Sequence, residues 1–188
     1  MNQYVYKSMI RIIISTTLSL FLFHLNTMIF DFNKNADISV WKIVDDRVMG
    51  GISQGRFSLT DEGYGKFHGL VTTESNGGFS SVDYNFNTLE VGSKDKLKVR
   101  LKGDGKIYQL RVKAFSSDRH NYIKEISTSG DWETFEIPLA YMYPSWRGNK
   151  LNIPNFDKDQ ITSITILIAN GKRENFEILL DSIELIKS

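Results

Sequence analysis

The chain has 188 residues, with 23 basic side chains against 22 acidic ones, no cysteine and three histidines. That balance excludes a nucleic-acid binder working through bulk positive charge. The missing cysteines exclude disulfides, thiolate metal sites and cysteine nucleophiles. His24, His68 and His120 are scattered, with none at metal-ligand spacing from another, so a histidine metal site is not expected.

Residues 1–27 differ in kind from the rest. Lys7 and Arg11 precede an apolar run, Ile12 to Phe23, broken by Ser15, Thr16, Thr17 and Ser19. A positive start before such a run has the form of a secretory signal or membrane anchor. No small-x-small cleavage site follows it. The segment therefore predicts an exported or membrane-anchored protein, and a cytoplasmic one if translation starts at Met28. Residues 28–188 are read as a single domain.

From Ile29 the apolar residues recur at two, not at three and four, which predicts strands. Ile29 to Phe32 is a short first strand. Asp37 is placed to cap a helical turn running to Trp41. A polar loop, Asp45 to Ser53, contains Gly50-Gly51. Arg56 to Thr60 and Tyr64 to Thr73 form a hairpin around Asp61-Glu62-Gly63. A second glycine pair, Gly77-Gly78, precedes the strand Phe79 to Phe86. Lys96 to Lys102 alternates without a fault, Leu97, Val99 and Leu101 facing one way and four cations the other. Tyr108 to Ala114, Tyr122 to Ser127 and Trp132 to Ile137 are further strands. Pro138 to Asn155 is a long aromatic-rich connection. Ile164 to Ile168 and Phe176 to Ile186 close the chain. Nine or ten strands with short turns predict an all-β antiparallel sandwich.

Several motifs in this order are specific. Trp41, Asp45-Asp46-Arg47-Val48-Met49-Gly50-Gly51-x-Ser53 and Asn76-Gly77-Gly78-Phe79-Ser80-Ser81 are followed by Gly103-Asp104-Gly105-x-x-Tyr108. Then come Trp132-x-x-Phe135-x-Ile137-Pro138, Arg147-Gly148, Phe176-x-Ile178 and Asp181-x-Ile183. Together they resemble the complex I intermediate-associated protein 30 family over about Phe30 to Ile186. Glu174-Asn175 departs from the Gly-Pro that the pattern leads one to expect there. The resemblance implies a galactose-binding-like jelly roll of two antiparallel sheets. It also implies a chaperone-like role in assembling the membrane arm of respiratory NADH:ubiquinone oxidoreductase.

No complete catalytic set accompanies these motifs. Adjacent carboxylates on extended chain point in opposite directions, so Asp45 and Asp46 do not form an acid/base dyad. The acids are read as loop-fixing hydrogen-bond acceptors, one of them toward the Gly50-Gly51 turn. A Ca²⁺ held by Asp45, Asp46 and Glu74 is the alternative. The glycine pairs lack phosphate-loop forms, and Ser53, Ser80 and Ser81 lack a histidine partner. Arg47, Arg111 and Arg147 are read as internal arginine–aspartate pairs, Trp132 as core and Trp146 as an exposed contact.

The expectation is a non-enzymatic domain without a cofactor that binds a protein, such as a subunit of a membrane complex. Its contact surface would lie near Arg47, Met49, Trp146 and Arg147. A carbohydrate-binding module is the rival reading.

Overall fold

The computed structural model describes residues 26–188, apart from the side chains of Val48 and Met49; the expected signal or anchor lies outside the described residues. The strands are β1 (Thr27–Asp31), β2 (Trp41–Asp45), β3 (Gln54–Leu59), β4 (Gly65–Val71), β5 (Ser80–Glu90), β6 (Lys96–Lys102) and β7 (Ile107–Lys113). They continue as β8 (Asn121–Ser127), β9 (Trp132–Pro138), β10 (Tyr143–Trp146), β11 (Asn149–Lys150), β12 (Gln160–Ile168) and β13 (Glu174–Ile186). Every pairing is antiparallel. One sheet runs β3-β4-β13-β6-β9, with β1 pairing the far half of β13. The other has seven strands in the order β11-β10-β8-β7-β12-β5-β2. Among the described residues, helix is confined to 3₁₀ turns of three or four residues, and none is long and apolar enough to cross a membrane.

The core lies between the sheets and follows from alternation. Leu97, Val99 and Leu101 of β6 are fully buried, as are Leu110 and Val112 of β7, Ile164 of β12 and Ile178 and Leu180 of β13. At one end Phe30, Phe32, Trp41 and Phe57 pack ring on ring, and Trp41 stacks on Tyr84 with centroids 5.1 Å apart. Such pairs add about 0.5–1.5 kcal/mol each beyond the area they bury.

Asp37 caps the expected turn, Ile38–Val40, and Trp41 closes it by donating its N–H to the Ile38 oxygen before opening β2. The structure corrects other expectations. The long connection after Pro138 contains a small hairpin, β10–β11. Trp132 is not core. Opposite β6, the residues of β9 facing inward are Phe135 and Ile137, because Val99 pairs Phe135 and Leu97 pairs Ile137. Trp132 instead pairs Lys102 on the outer face, half-buried, with the Arg100 guanidinium 4.6 Å from its ring centre. Three residues from Phe135, Trp132 shares its face with Thr134 and Glu136 rather than with the core residues.

Candidate functional site

The two glycine-rich stretches meet at Asp46. Asp45 ends β2 and Asp46 begins the 3₁₀ turn Asp46–Met49, so their carboxyl groups diverge. Asp46 is fully buried. Its Oδ2 accepts hydrogen bonds from Ser53 Oγ at 2.6 Å, Gly78 N at 2.7 Å and Phe79 N at 3.2 Å, while Oδ1 accepts from Ser53 N at 3.2 Å. Burial pushes its carboxyl pKa up, but the donors from Ser53, Gly78 and Phe79 outweigh that and hold it below the usual value. The expectation of an acid bonded to the Gly50-Gly51 turn needs correcting. The amides that Asp46 takes belong to the second glycine pair, and Gly51 N reaches only the Asp46 main-chain oxygen.

Glycine is required where the loops touch. A Cβ on Gly51 would sit 2.2 Å from Asp46 Oδ1 and 2.8 Å from Gly77 Cα, and one on Gly77 would sit 2.7 Å from the Thr72 oxygen. Asp45 makes the parallel tie between sheets. Its Oδ1 accepts from Gly55 N on β3 at 3.0 Å and from Ser80 Oγ on β5 at 2.6 Å. This double clasp accounts for Asp45, Asp46, Gly51, Ser53, Gly77, Gly78, Phe79 and Ser80 of the motif. Asp104 does similar work between Gly103 and Gly105. It accepts from the Tyr108 hydroxyl at 3.0 Å and from Glu177 N at 2.9 Å. Burial, then the nearby Asp104 charge and its hydrogen bond, push the Tyr108 phenol far above its ordinary range.

The structure does not gather the acids considered for Ca²⁺. Glu74 is exposed and pairs with Arg173 at 2.8 Å, and no group of three His, Asp or Glu side chains able to hold a metal occurs among the described residues. The internal arginine–aspartate pair expected of Arg47, Arg111 or Arg147 is not formed among the described residues; the arginine–aspartate pair present, Arg100 with Asp181 at 2.9 Å, lies partly exposed on the outer face. Arg147 instead lies over the Trp146 ring, 4.9 Å from its centre.

A second feature was missed in the sequence. The outer face of the seven-stranded sheet carries a groove of about 370 Å³ lined by Asp83, Asn85, Arg111, Lys113, Asn121 and Thr165, among others. Register places Asp83, Thr165, Arg111, Ile123 and Tyr143 in one row across β5, β12, β7, β8 and β10. Asn85, Ser163 and Lys113 form the next row. Burial raises the Asp83 carboxyl pKa, against hydrogen bonds from Ser81 and Thr165 and the pull of Arg111 and Lys113. Burial likewise lowers the Arg111 pKa, with Asp83 opposing. Two half-sheltered charges of opposite sign thus face one groove. With Asp83 as its one carboxylate, the lining is equipped to grip by hydrogen bonds and charge. The available signal was the polar alternate set of β5 and β7, but their juxtaposition needs the strand order.

The contact residues named from sequence occupy the edges of this same sheet. Trp146 and Arg147 sit on the β10–β11 hairpin, whose turn residues Arg147 and Gly148 have φ of 51° and 79°. Positive φ at both positions is what a two-residue type I′ hairpin needs. Trp146 is 40 % exposed. Arg47, also exposed, lies beyond the end of β2, at the opposite edge. Five strand spacings, roughly 24 Å, separate β10 from β2. The Met49 side chain lies outside the described residues.

Comparison with known proteins gives the fold a lineage. The pattern described as Complex I intermediate-associated protein 30 (CIA30) matches residues 30–180. The chain belongs to the complex I intermediate-associated protein 30 family. No curated protein matches it. Among solved structures, this CIA30 chain is similar to the family 11 carbohydrate-binding module of Clostridium thermocellum in complex with a β-1,3-1,4-mixed-linked tetrasaccharide. Identity is 20 %, TM-score 0.59, and coverage 87 % of this chain and 96 % of that one. It is also similar to a family 29 carbohydrate-binding module, CBM29-2, at 12 % identity and TM-score 0.53, covering 86 % of this chain and 91 % of the other. The agarase AgWH50C matches at 14 % identity and TM-score 0.58, over 87 % of this chain and 24 % of the enzyme. At these identities the likeness shows the fold alone: the CIA30 domain is a galactose-binding-like jelly roll.

Proposed function

We propose that this CIA30 domain is a non-enzymatic protein-binding sandwich that helps assemble or stabilise a membrane-linked, respiratory-type complex. Family membership supports the class of role. The observation that carries the surface is the β10–β11 hairpin: an exposed Trp146 with the Arg147 guanidinium laid on its ring, held on a two-residue turn at a sheet edge. Tryptophan and arginine on a rigid support are the residues that concentrate binding energy at protein interfaces, where truncation costs about 2 kcal/mol or more. Arg47 and Met49 belong to the same proposal as a second contact at the opposite edge. The test is affinity capture of detergent-solubilised native membranes. Trp146→Ala and Arg147→Ala should each reduce recovery of specific partners at least about tenfold while circular dichroism stays unchanged. Equal capture by both variants and the wild type would remove this surface from consideration. The N-terminal segment, as an export signal or anchor, would bring the domain to the membrane; a mature protein beginning at Met28 would end that part.

The polar groove on the seven-stranded sheet favours a second reading, a carbohydrate-binding module. Donors and acceptors line it densely, and proteins of this fold include a module with a bound tetrasaccharide. Calorimetry with common polysaccharides separates the two: saturable heat that survives Trp146→Ala belongs to the groove.

A further inference from the structure

We propose that the groove between Asp83 and Arg111 is a site for an oligosaccharide bearing a hexuronate, with ring hydroxyls donating to Asp83 and the sugar carboxylate received by Arg111 and Lys113. The assignment rests on the carbohydrate reading and goes beyond it by naming the sugar class.

Asp83 and Arg111 stand in one row with only Thr165 between them, so their Cα atoms are about 10 Å apart. Among the described residues neither takes part in an ion pair. Each is held by a neighbour instead. Ser81 Oγ donates to Asp83 Oδ1 at 2.9 Å, and Arg111 donates through Nε, at 3.0 Å, and Nη2 to Gln109 Oε1. The acid and the guanidinium are therefore positioned before any ligand arrives, and Arg111 Nη1 remains available.

An ionised carboxylate only accepts and a guanidinium only donates, so the ligand needs donors and acceptors a few ångströms apart. Adjacent sugar hydroxyls supply both. Ser163 and Thr165 form a floor of short side chains that lets a ring come close, and Asn85 and Asn121 offer both kinds of group on the flanks. The groove volume falls within the range of small-molecule sites.

The lining carries Arg111 and Lys113 against Asp83 alone, one positive charge in excess. Lys113 Nζ donates one hydrogen bond to the Asp118 oxygen at 2.9 Å, which leaves two donors. A neutral sugar leaves that excess unanswered, whereas a ring carboxylate neutralises it and accepts from Arg111 Nη1 and Lys113 Nζ. An acidic peptide would neutralise it too, with backbone N–H groups as its donors, whereas a sugar ring presents hydroxyls that donate and accept on adjacent carbons.

The experiment is isothermal titration calorimetry on the full-length chain in mild detergent. The probes are tetramers of galacturonate and of mannuronate, their methyl-esterified forms, and octaglutamate. The expected result is saturable binding of at least one acidic tetramer, weakened tenfold or more by methyl esterification. Arg111→Met and Asp83→Asn should each weaken it by a similar factor, and Trp146→Ala should leave it unchanged. Thermal melts of the variants check that they remain folded, and Lys113→Met serves as the replacement if Arg111→Met does not. Esterified tetramers binding as well as the acids would overturn the hexuronate assignment and leave the carbohydrate reading standing. Silence from every tetramer would overturn the hexuronate assignment, and the calorimetry with common polysaccharides would then decide the carbohydrate reading separately. Octaglutamate binding as tightly as the acidic tetramer would make the groove a peptide site.

Discussion

Replacing Asp46 by asparagine should cost more than any other single polar change in the domain. The carboxylate receives four hydrogen bonds, three on Oδ2 and one on Oδ1, from Ser53, Gly78 and Phe79. Asparagine keeps one acceptor oxygen. With it in the Oδ2 position, the new amide faces Ser53 N, donor against donor, and the other three bonds lose their charge assistance. A hydrogen bond to a charged group contributes about 1.5–3 kcal/mol, so Asp46→Asn should destabilise by about 3 kcal/mol. For a chain of this size that lowers Tm by about 6–12 °C. The pH dependence gives a second readout. Because the folded-state pKa lies below the ordinary 3.8, the clasp contributes fully above that value and is lost as pH falls through the folded-state pKa. In that window the unfolded chain binds more protons, so wild-type stability rises with pH and the variant's slope should be shallower. Thermal denaturation followed by circular dichroism between pH 2.5 and pH 7 measures both. A Tm within about 2 °C of wild type at pH 7, or identical acid slopes, would refute the claim that this carboxylate joins the loops.

Gly51→Ala should destabilise by about 1–3 kcal/mol in urea unfolding, because its Cβ would meet the Asp46 carboxylate and the Gly77 backbone; urea curves that superpose would show the loops do not touch. Phe67, fully buried and edge-on to Phe176 with centroids 4.7 Å apart, should cost about 3–5 kcal/mol when cut to alanine, read from the same curves. Arg173→Ala breaks only the exposed pair with Glu74 and should move the urea midpoint by less than about 1 kcal/mol in free energy. Gly148→Ala, at φ of 79° in the β10–β11 turn, should loosen the hairpin by about 1 kcal/mol and weaken partner capture together with it.

Much of this architecture was legible in the chain. Alternation in Lys96–Lys102 and Ile107–Lys113 marked strands with one buried face, and Leu97, Val99, Leu101, Leu110 and Val112 are all fully buried. The two glycine pairs in polar surroundings marked backbones that must approach something closely, and each meets the other across Asp46. Such features are local: a period of two, or a residue without a Cβ, is written in neighbouring positions.

Contacts between distant residues were not written there. Trp132 stands three residues from Phe135, so period two already puts it on the face of Thr134 and Glu136, but its seat beneath Arg100 comes from the β6–β9 register. Asp46 could be read as a loop-fixing acid, but not as the acceptor for amides 32 and 33 residues downstream. The groove is the extreme case. Asp83, Thr165 and Arg111 share a row because β12 inserts between β5 and β7, an order no local pattern encodes. The sequence by itself determined that the chain would make a strand-built sandwich with two pinched glycine loops, since steric freedom and side-chain alternation act within a few residues. The tertiary structure alone decided which side chains share a face, because strand order and register arise from packing the whole core at once.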